Sequence, residues 1–377
     1  MDANGDSNAG SSYVIFGSLP QESVTRTGSA IAQTIWGGEG DDVLSGLDGA
    51  DTLRANGGDD RLIGGAGADS QLGVAGDDFL QGGSGDDRLF GGTDSDRLSG
   101  GSGADFLDGG AGDDVIDGGS GIDTVSYATA NAAVTVNLAE DGRQKTAGSG
   151  WDRLQSVENL TGSKYADRLA GDDGANVLIG GAGDDVLSGG LGADTLDGGL
   201  GVDTLDYSAA TGAVVATLKG SAYAVVRVGG AVEDKVRNAE NILGGSGADK
   251  LKGDTLANLL DGGLGADTLT GAAGADTYAF SSALGGGNID HIAGFSVPQD
   301  TIQLENAVFT ALATTGVLAA GAFFIGAAAH DADDRIIYNA HSGALLYDAD
   351  GAGGAAAVQF AVMAHNLVMT AADCLVV

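Results

Sequence analysis

Cysteine, proline, aromatic side chains and positive charge are all scarce in this chain, and each scarcity excludes something. Cys374 is the only cysteine, so no intramolecular disulfide can form. Two prolines in 377 residues, against 69 glycines, exclude a collagen-like chain, which needs a strict Gly-X-Y period and abundant proline. Aromatics make up 5%, too few for an ordinary globular core of this length. Either the chain is partly disordered, or something other than aromatic packing holds it together. Lys and Arg number 17 against 53 Asp and Glu, a formal charge of −36. Such a surface repels nucleic acid and anionic membrane, and it attracts cations. No apolar run is long enough for a transmembrane helix. The opening Met1-Asp2-Ala3-Asn4-Gly5-Asp6 lacks the basic and apolar regions of a signal peptide.

Catalytic motifs are missing too. There is no HExxH zinc motif, and the four histidines, His291, His330, His341 and His365, are widely spaced. No GxSxG nucleophile elbow occurs. Neither GxGxxG nor GxxxxGK[ST] is present, so the glycines do not read as a phosphate cradle. Cys374 lies in the tail, a poor place for a catalytic thiol. Neither a catalytic nor an organic-cofactor site is expected.

What is there is a period. From Gly37 to Ser126 the chain reads as ten unbroken nonapeptides, such as Gly82-Gly83-Ser84-Gly85-Asp86-Asp87-Arg88-Leu89-Phe90. Five more run from Gly162 to Asp206 and four from Gly244 to Ala279. Position six is Asp in seventeen units: Asp42, Asp51, Asp60, Asp69, Asp78, Asp87, Asp96, Asp105, Asp114, Asp123, Asp167, Asp185, Asp194, Asp203, Asp249, Asp267 and Asp276. Asn176 and Asn258 fill it in the other two. Position eight is aliphatic except at Gln71 and Tyr278. Asn56, Val74 and Asp94 stand where glycine is expected.

Each position has a physical reason. Glycines in the first four places allow positive φ and a close backbone approach. Position six offers the hard carboxylate oxygen that calcium prefers, and glycine carbonyls can add more. Positions seven to nine make a short strand with position eight inward. One unit cannot bury its single Leu, but stacked units can, at about 1.5–3 kcal/mol each. Stacking brings equivalent aspartates to about 4.8 Å, one strand spacing. At an effective dielectric near 20 each pair then repels by roughly 3 kcal/mol. Cations between the turns convert that repulsion into coordination, so folding is expected to depend on calcium. A disordered acidic linker would have no need of a Leu every ninth residue.

These units resemble the repeats-in-toxin (RTX) consensus GGxGxDxUx. The resemblance implies an all-β fold, a calcium-stabilised parallel β-roll, here in three blocks with strand-rich inserts and a C-terminal β domain. It further implies that two units make one coil, that calcium ions lie between successive turns of one side, and that the nineteen position-six residues are the metal ligands. The expected divisions are 1–36, 37–126 (first roll), 127–161 (insert), 162–206 (second roll), 207–243 (insert), 244–279 (third roll) and 280–377.

The inserts are duplicates. They begin at Asp123-Thr124-Val125-Ser126-Tyr127 and Asp203-Thr204-Leu205-Asp206-Tyr207, and end at Val157-Glu158-Asn159-Leu160 and Ala239-Glu240-Asn241-Ile242. Each reads as a strand excursion that caps one roll and starts the next, with Trp151 and Tyr223 as its bulky surface candidates. Beyond 280, Ile289–Ile292 and Asp300–Leu304 read as strands, and Arg335–Tyr338 with Ala344–Tyr347 as a hairpin. This stretch resembles the C-terminal domain of serralysin-like proteases and other type I secretion substrates, although Gly294 stands before Phe295 where that family often carries Asp. The ending Thr370–Val377 looks like an uncleaved secretion signal. Asp348-Ala349-Asp350-Gly351 reads as a turn, with a further calcium site as the alternative. Residues 2–17 are similar to the end of an FG-GAP blade of integrin-like propellers. The implied address is extracellular or cell-surface, and the implied partners are calcium, the type I machinery and, as a candidate, a surface or matrix polysaccharide. The expected role is structural or adhesive; the alternative is the secretion and folding module of an enzyme whose catalytic domain lies elsewhere.

Overall fold

The computed structural model describes residues 13–15, 22–146 and 149–377. Apart from the strand Tyr13–Ile15, the FG-GAP-like segment lies outside the described residues. The chain divides into two units, residues 1–185 with 189–194, and residues 186–188 with 195–377. Both are built almost wholly of short strands; the helices among the described residues are the single turns Ala320–Ala322 and Ala371–Asp373. None is long and apolar enough to cross a membrane.

In the first roll every nonapeptide makes one strand, and each strand as far as Phe106–Ala111 pairs in parallel with the strand two units later. One wall aligns Leu44 with Leu62, Leu62 with Leu80, Leu80 with Leu98, and Leu98 with Ile116. The other aligns Ile35 with Leu53, Leu53 with Gln71, Gln71 with Leu89, Leu89 with Leu107, and Leu107 with Val125. Two nonapeptides therefore close one coil of a parallel β-roll. The position-eight side chains of all three blocks face inward and are at most 1% exposed. Aliphatic residues suffice because the coil is thin: each wall offers one side chain per rung, and the rungs stack directly.

The glycine pattern divides into two causes. At positions two and four the backbone takes positive φ, as at Gly83 (121°) and Gly85 (118°). Asn56 (91°), Val74 (98°) and Asp94 (81°) adopt the same geometry where glycine is missing. Stacking against glycine-bearing coils holds them there at a cost in strain. At position one the cause is space. A Cβ on Gly82 would collide with both Asp87 Oδ2 and the carbonyl oxygen of Gly100 on the next coil.

The inserts differ from expectation. The first interrupts one wall and leaves the other continuous. Val125 pairs with Leu160, and Leu160 with Leu178. On the interrupted side Leu154 closes the old wall against Ile116, while Val136 opens a new one against Leu169. The second unit repeats the arrangement. Leu205 pairs with Ile242 without a break, Val236 closes against Leu196, and Ala216 opens against Leu251. Each insert is a splice in one wall, because its last segment re-enters the coil in register and keeps the other side stacked.

The second unit then continues past the last nonapeptide. Tyr278 aligns with Ile302, and Ile302 with Cys374 of the final strand Cys374–Val376. The expected hairpin is present, with Ile336 opposite Tyr347 and Asn339 opposite Ala344. Here the scarce aromatics gather: Phe309 packs edge-on against Tyr347 and Phe360, both at 5.2 Å, and Phe280 against Phe360 at 4.9 Å.

Candidate metal centre

The parallel register that buries the leucines also stacks the position-six residues, which lie two residues before them. All nineteen are at most 3% exposed. Within a wall they form a ladder in which each backbone N–H donates to the Oδ1 of the aspartate eighteen residues on. One ladder runs Asp42 to Asp60 (2.7 Å), Asp60 to Asp78 (2.9 Å), Asp78 to Asp96 (2.9 Å) and Asp96 to Asp114 (2.9 Å). The other runs Asp51 to Asp69 (2.7 Å), Asp69 to Asp87 (2.8 Å), Asp87 to Asp105 (2.8 Å) and Asp105 to Asp123 (2.8 Å). Asp167 with Asp185 and Asp249 with Asp267 repeat the contact.

Only one carboxylate oxygen is used in this way. The Oδ2 atoms of Asp51, Asp60, Asp69, Asp78, Asp87, Asp96, Asp105, Asp114, Asp123 and Asp267 are buried without a hydrogen-bond partner. Each anionic oxygen left so costs several kcal/mol unless something positive meets it. The position-one contacts show what else is near. Asp87 Oδ2 and Gly100 O converge beside Gly82, as Asp96 Oδ2 and Gly109 O do beside Gly91. A row of hard oxygens with no protein donor fits calcium, which takes six to eight oxygen ligands, carboxylate and carbonyl together.

The electrostatics agree. Burial, with the amide hydrogen bond opposing and the like charge of nearby aspartates added, pushes the carboxyls of Asp60, Asp78 and Asp87 up to about 7. Asp114 is also raised to about 7 and Asp96 to about 8 for the same reasons. Bringing a cation to each carboxylate reverses that cost.

Several ladder members lie outside the nonapeptides and were missed in the sequence. Asp152 Oδ1 accepts from Asp114 N at 3.0 Å, two residues before Leu154. Ala147–Gln155 reads x-G-x-G-x-D-x-L-x, so a repeat search tolerant at positions one and three would have found it. Glu158 and Glu240 take the slot through longer side chains, accepting from Asp123 N (2.8 Å) and Asp203 N (2.9 Å). Asp290 and Asp300 extend the last ladders, accepting from Asp267 N and Asp276 N, both at 3.1 Å.

Asn176 and Asn258 sit in the ladder, donating their backbone N–H groups to Asp194 (2.8 Å) and Asp276 (3.0 Å). Asp348–Gly351 forms a turn: Asp350 Oδ2 accepts from Gly354 N and Ala355 N. Trp151 and Tyr223 are about half exposed, and Arg237 lies 4.7 Å over the Tyr223 ring.

The fold and the ladders define a parallel β-roll repeat protein with calcium-type turns. The chain carries the RTX calcium-binding nonapeptide repeat, matched over residues 36–70, 72–98, 90–125, 157–187, 170–205 and 242–278. No curated protein matches the sequence. Among solved structures the chain is similar to the extracellular lipase LipA of Serratia marcescens, at 17% identity and a TM-score of 0.19. That alignment covers 80% of this chain and 40% of the lipase. So loose a likeness carries no argument on activity.

Proposed function

We propose that this chain is an extracellular protein whose rolls fold on calcium after export through a type I channel, and that it serves a structural or adhesive role. The observation that carries the reading is the set of ten buried Oδ2 atoms with no protein partner. At low calcium their mutual repulsion keeps the chain unfolded and fit for a narrow channel. At millimolar calcium, binding to the folded form alone drives folding outside.

Residues 280–377 are the candidate export element. The tail that looks like a secretion signal is also the final strand, with Cys374 and Val376 buried against the wall. It would thus be extended and accessible only before folding. The adhesive reading draws on a cationic stripe on an otherwise acidic chain. Arg61, Phe79 and Arg97 follow one another across the outer face of one wall, with Arg61 4.5 Å from the Phe79 ring. An anionic polysaccharide is the partner such a stripe suits.

The test is to express the full chain, and a version ending at Ala279, beside a type I exporter. The reading expects the full chain in the medium and the shortened one in the cells. Equal export of both would overturn the export assignment.

A further inference from the structure

The two asparagines in the position-six row are eighteen residues beyond the two splices, and the same hydrogen-bond set surrounds both. In the first copy the chain from Leu154 to Leu160 has five intervening residues, where the preceding coil has eight between Ile116 and Val125. Ser156 turns this short link with φ of 50°, as Asn238 does in the second copy. The shortcut presents a different edge of the backbone to the next coil. Glu158 O accepts from Asn176 Nδ2 at 2.7 Å, and Glu240 O accepts from Asn258 Nδ2 at 2.9 Å.

The side-chain oxygens of the asparagines and one oxygen of each glutamate are also matched within the protein. Asn176 Oδ1 accepts from Asp172 N, and Asn258 Oδ1 from Asp254 N, both at 2.9 Å. Asn159 Oδ1 accepts from Val177 N (2.9 Å), and Asn241 Oδ1 from Leu259 N (3.1 Å). The Glu158 and Glu240 carboxylates accept from Asp123 N and Asp203 N. No side-chain atom of Glu158, Asn159, Asn176, Glu240, Asn241 or Asn258 is among the buried atoms left without a partner.

The polarity is therefore inverted relative to an ordinary rung. There an aspartate oxygen faces an N–H; here an amide N–H₂ faces a carbonyl. An aspartate at 176 or 258 would set a carboxylate against that carbonyl with no donor between them. Nor can the asparagine offer a second oxygen, since it has one and that one is engaged.

We propose that Glu158 with Asn176, and Glu240 with Asn258, are ion-free staples: the rung between splice and asparagine is closed by hydrogen bonds and takes no calcium. The asparagines are the residues the splice requires, and not weakened metal ligands. The inference rests on the reading that the aspartate turns bind calcium. It divides the array, so that ion-bound stacks end at each splice and begin again beyond it.

The experiment counts bound calcium by native mass spectrometry, and follows melting, on the full chain and on Asn176→Asp and Asn258→Asp. Each Asn→Asp variant should bind the same number of ions as the parent. Each should also melt about 4 °C lower or more in calcium, and need more calcium to fold. An added ion with a lowered midpoint in either variant would overturn the proposal. A parent that binds no calcium would instead sink the functional reading. The staple would then be judged by melting alone, where an unchanged or higher melting temperature of Asn176→Asp would overturn it.

Discussion

The backbone N–H of Asp96 donates to Oδ1 of Asp114 at 2.9 Å, while Oδ2 of the same carboxylate is buried with no partner. One side chain thus does two jobs: its first oxygen joins consecutive coils, and its second is held ready for a cation. The ladder is hydrogen-bonded whether or not an ion is bound, but only an ion offsets the buried charge.

That division predicts a change of sign. Asp96→Asn keeps an oxygen for the Asp78 N–H and removes the charge. In millimolar calcium the variant should be less stable, by about 1.4 kcal/mol if the ion is present at ten times its dissociation constant. In chelator it should be more stable than the parent, because a repelling charge is gone. Melting in calcium, and folding driven by a stabilising osmolyte in chelator, check this, and a shift of the same sign in both would contradict it.

Protons should replace calcium in part. The carboxyls of Asp60, Asp78, Asp87 and Asp114 are raised to about 7 and that of Asp96 to about 8, against 3.8 as the ordinary value. Between about pH 4 and 7 the calcium-free folded chain therefore binds more protons than the unfolded one. Its stability should be greatest near pH 4 and fall as pH rises through 7 to 8. Circular dichroism in chelator at pH 5 and pH 8 measures the difference; a larger folded fraction at pH 8 would be the wrong sign.

Much of this was legible in the sequence because the roll has few degrees of freedom. Once Leu89 and Asp87 repeat every nine residues, inward leucines and stacked aspartates follow from strand geometry alone. The splices were not legible for the converse reason. Glu158 enters the ladder only because the link from Leu154 to Leu160 is three residues short, which breaks the nine-residue count. Asp152 was hidden by relaxed glycines. Asn176 matched the repeat, and only the direction of the Glu158 carbonyl shows why it is an amide.

Gln71 is the one polar residue in the leucine row of the first roll. It is fully buried, its Nε2 donates to Gln81 O at 2.7 Å, and its Oε1 has no partner. Gln71→Leu should raise stability in calcium by about 1 kcal/mol, since the unsatisfied oxygen is lost and an apolar side chain fills the slot. Calorimetry decides it, and a lower melting temperature would show that the Gln81 contact matters more.

Cys374 provides a reporter already in place. Its thiol is fully buried in the final strand, and burial pushes it up to about 12. A thiol reagent at pH 8 should label it slowly in calcium and rapidly in chelator. Equal rates would mean that the last strand does not share in calcium-dependent folding.

The most direct measurement is far-ultraviolet circular dichroism of the full chain during a calcium titration from chelator. Extracellular calcium modules have dissociation constants of about 10⁻⁴–10⁻³ M. The account predicts an unfolded spectrum in chelator and a cooperative rise of β signal in that range, reversed when chelator is restored. A β-rich spectrum that excess chelator at pH 8 leaves unchanged would contradict it.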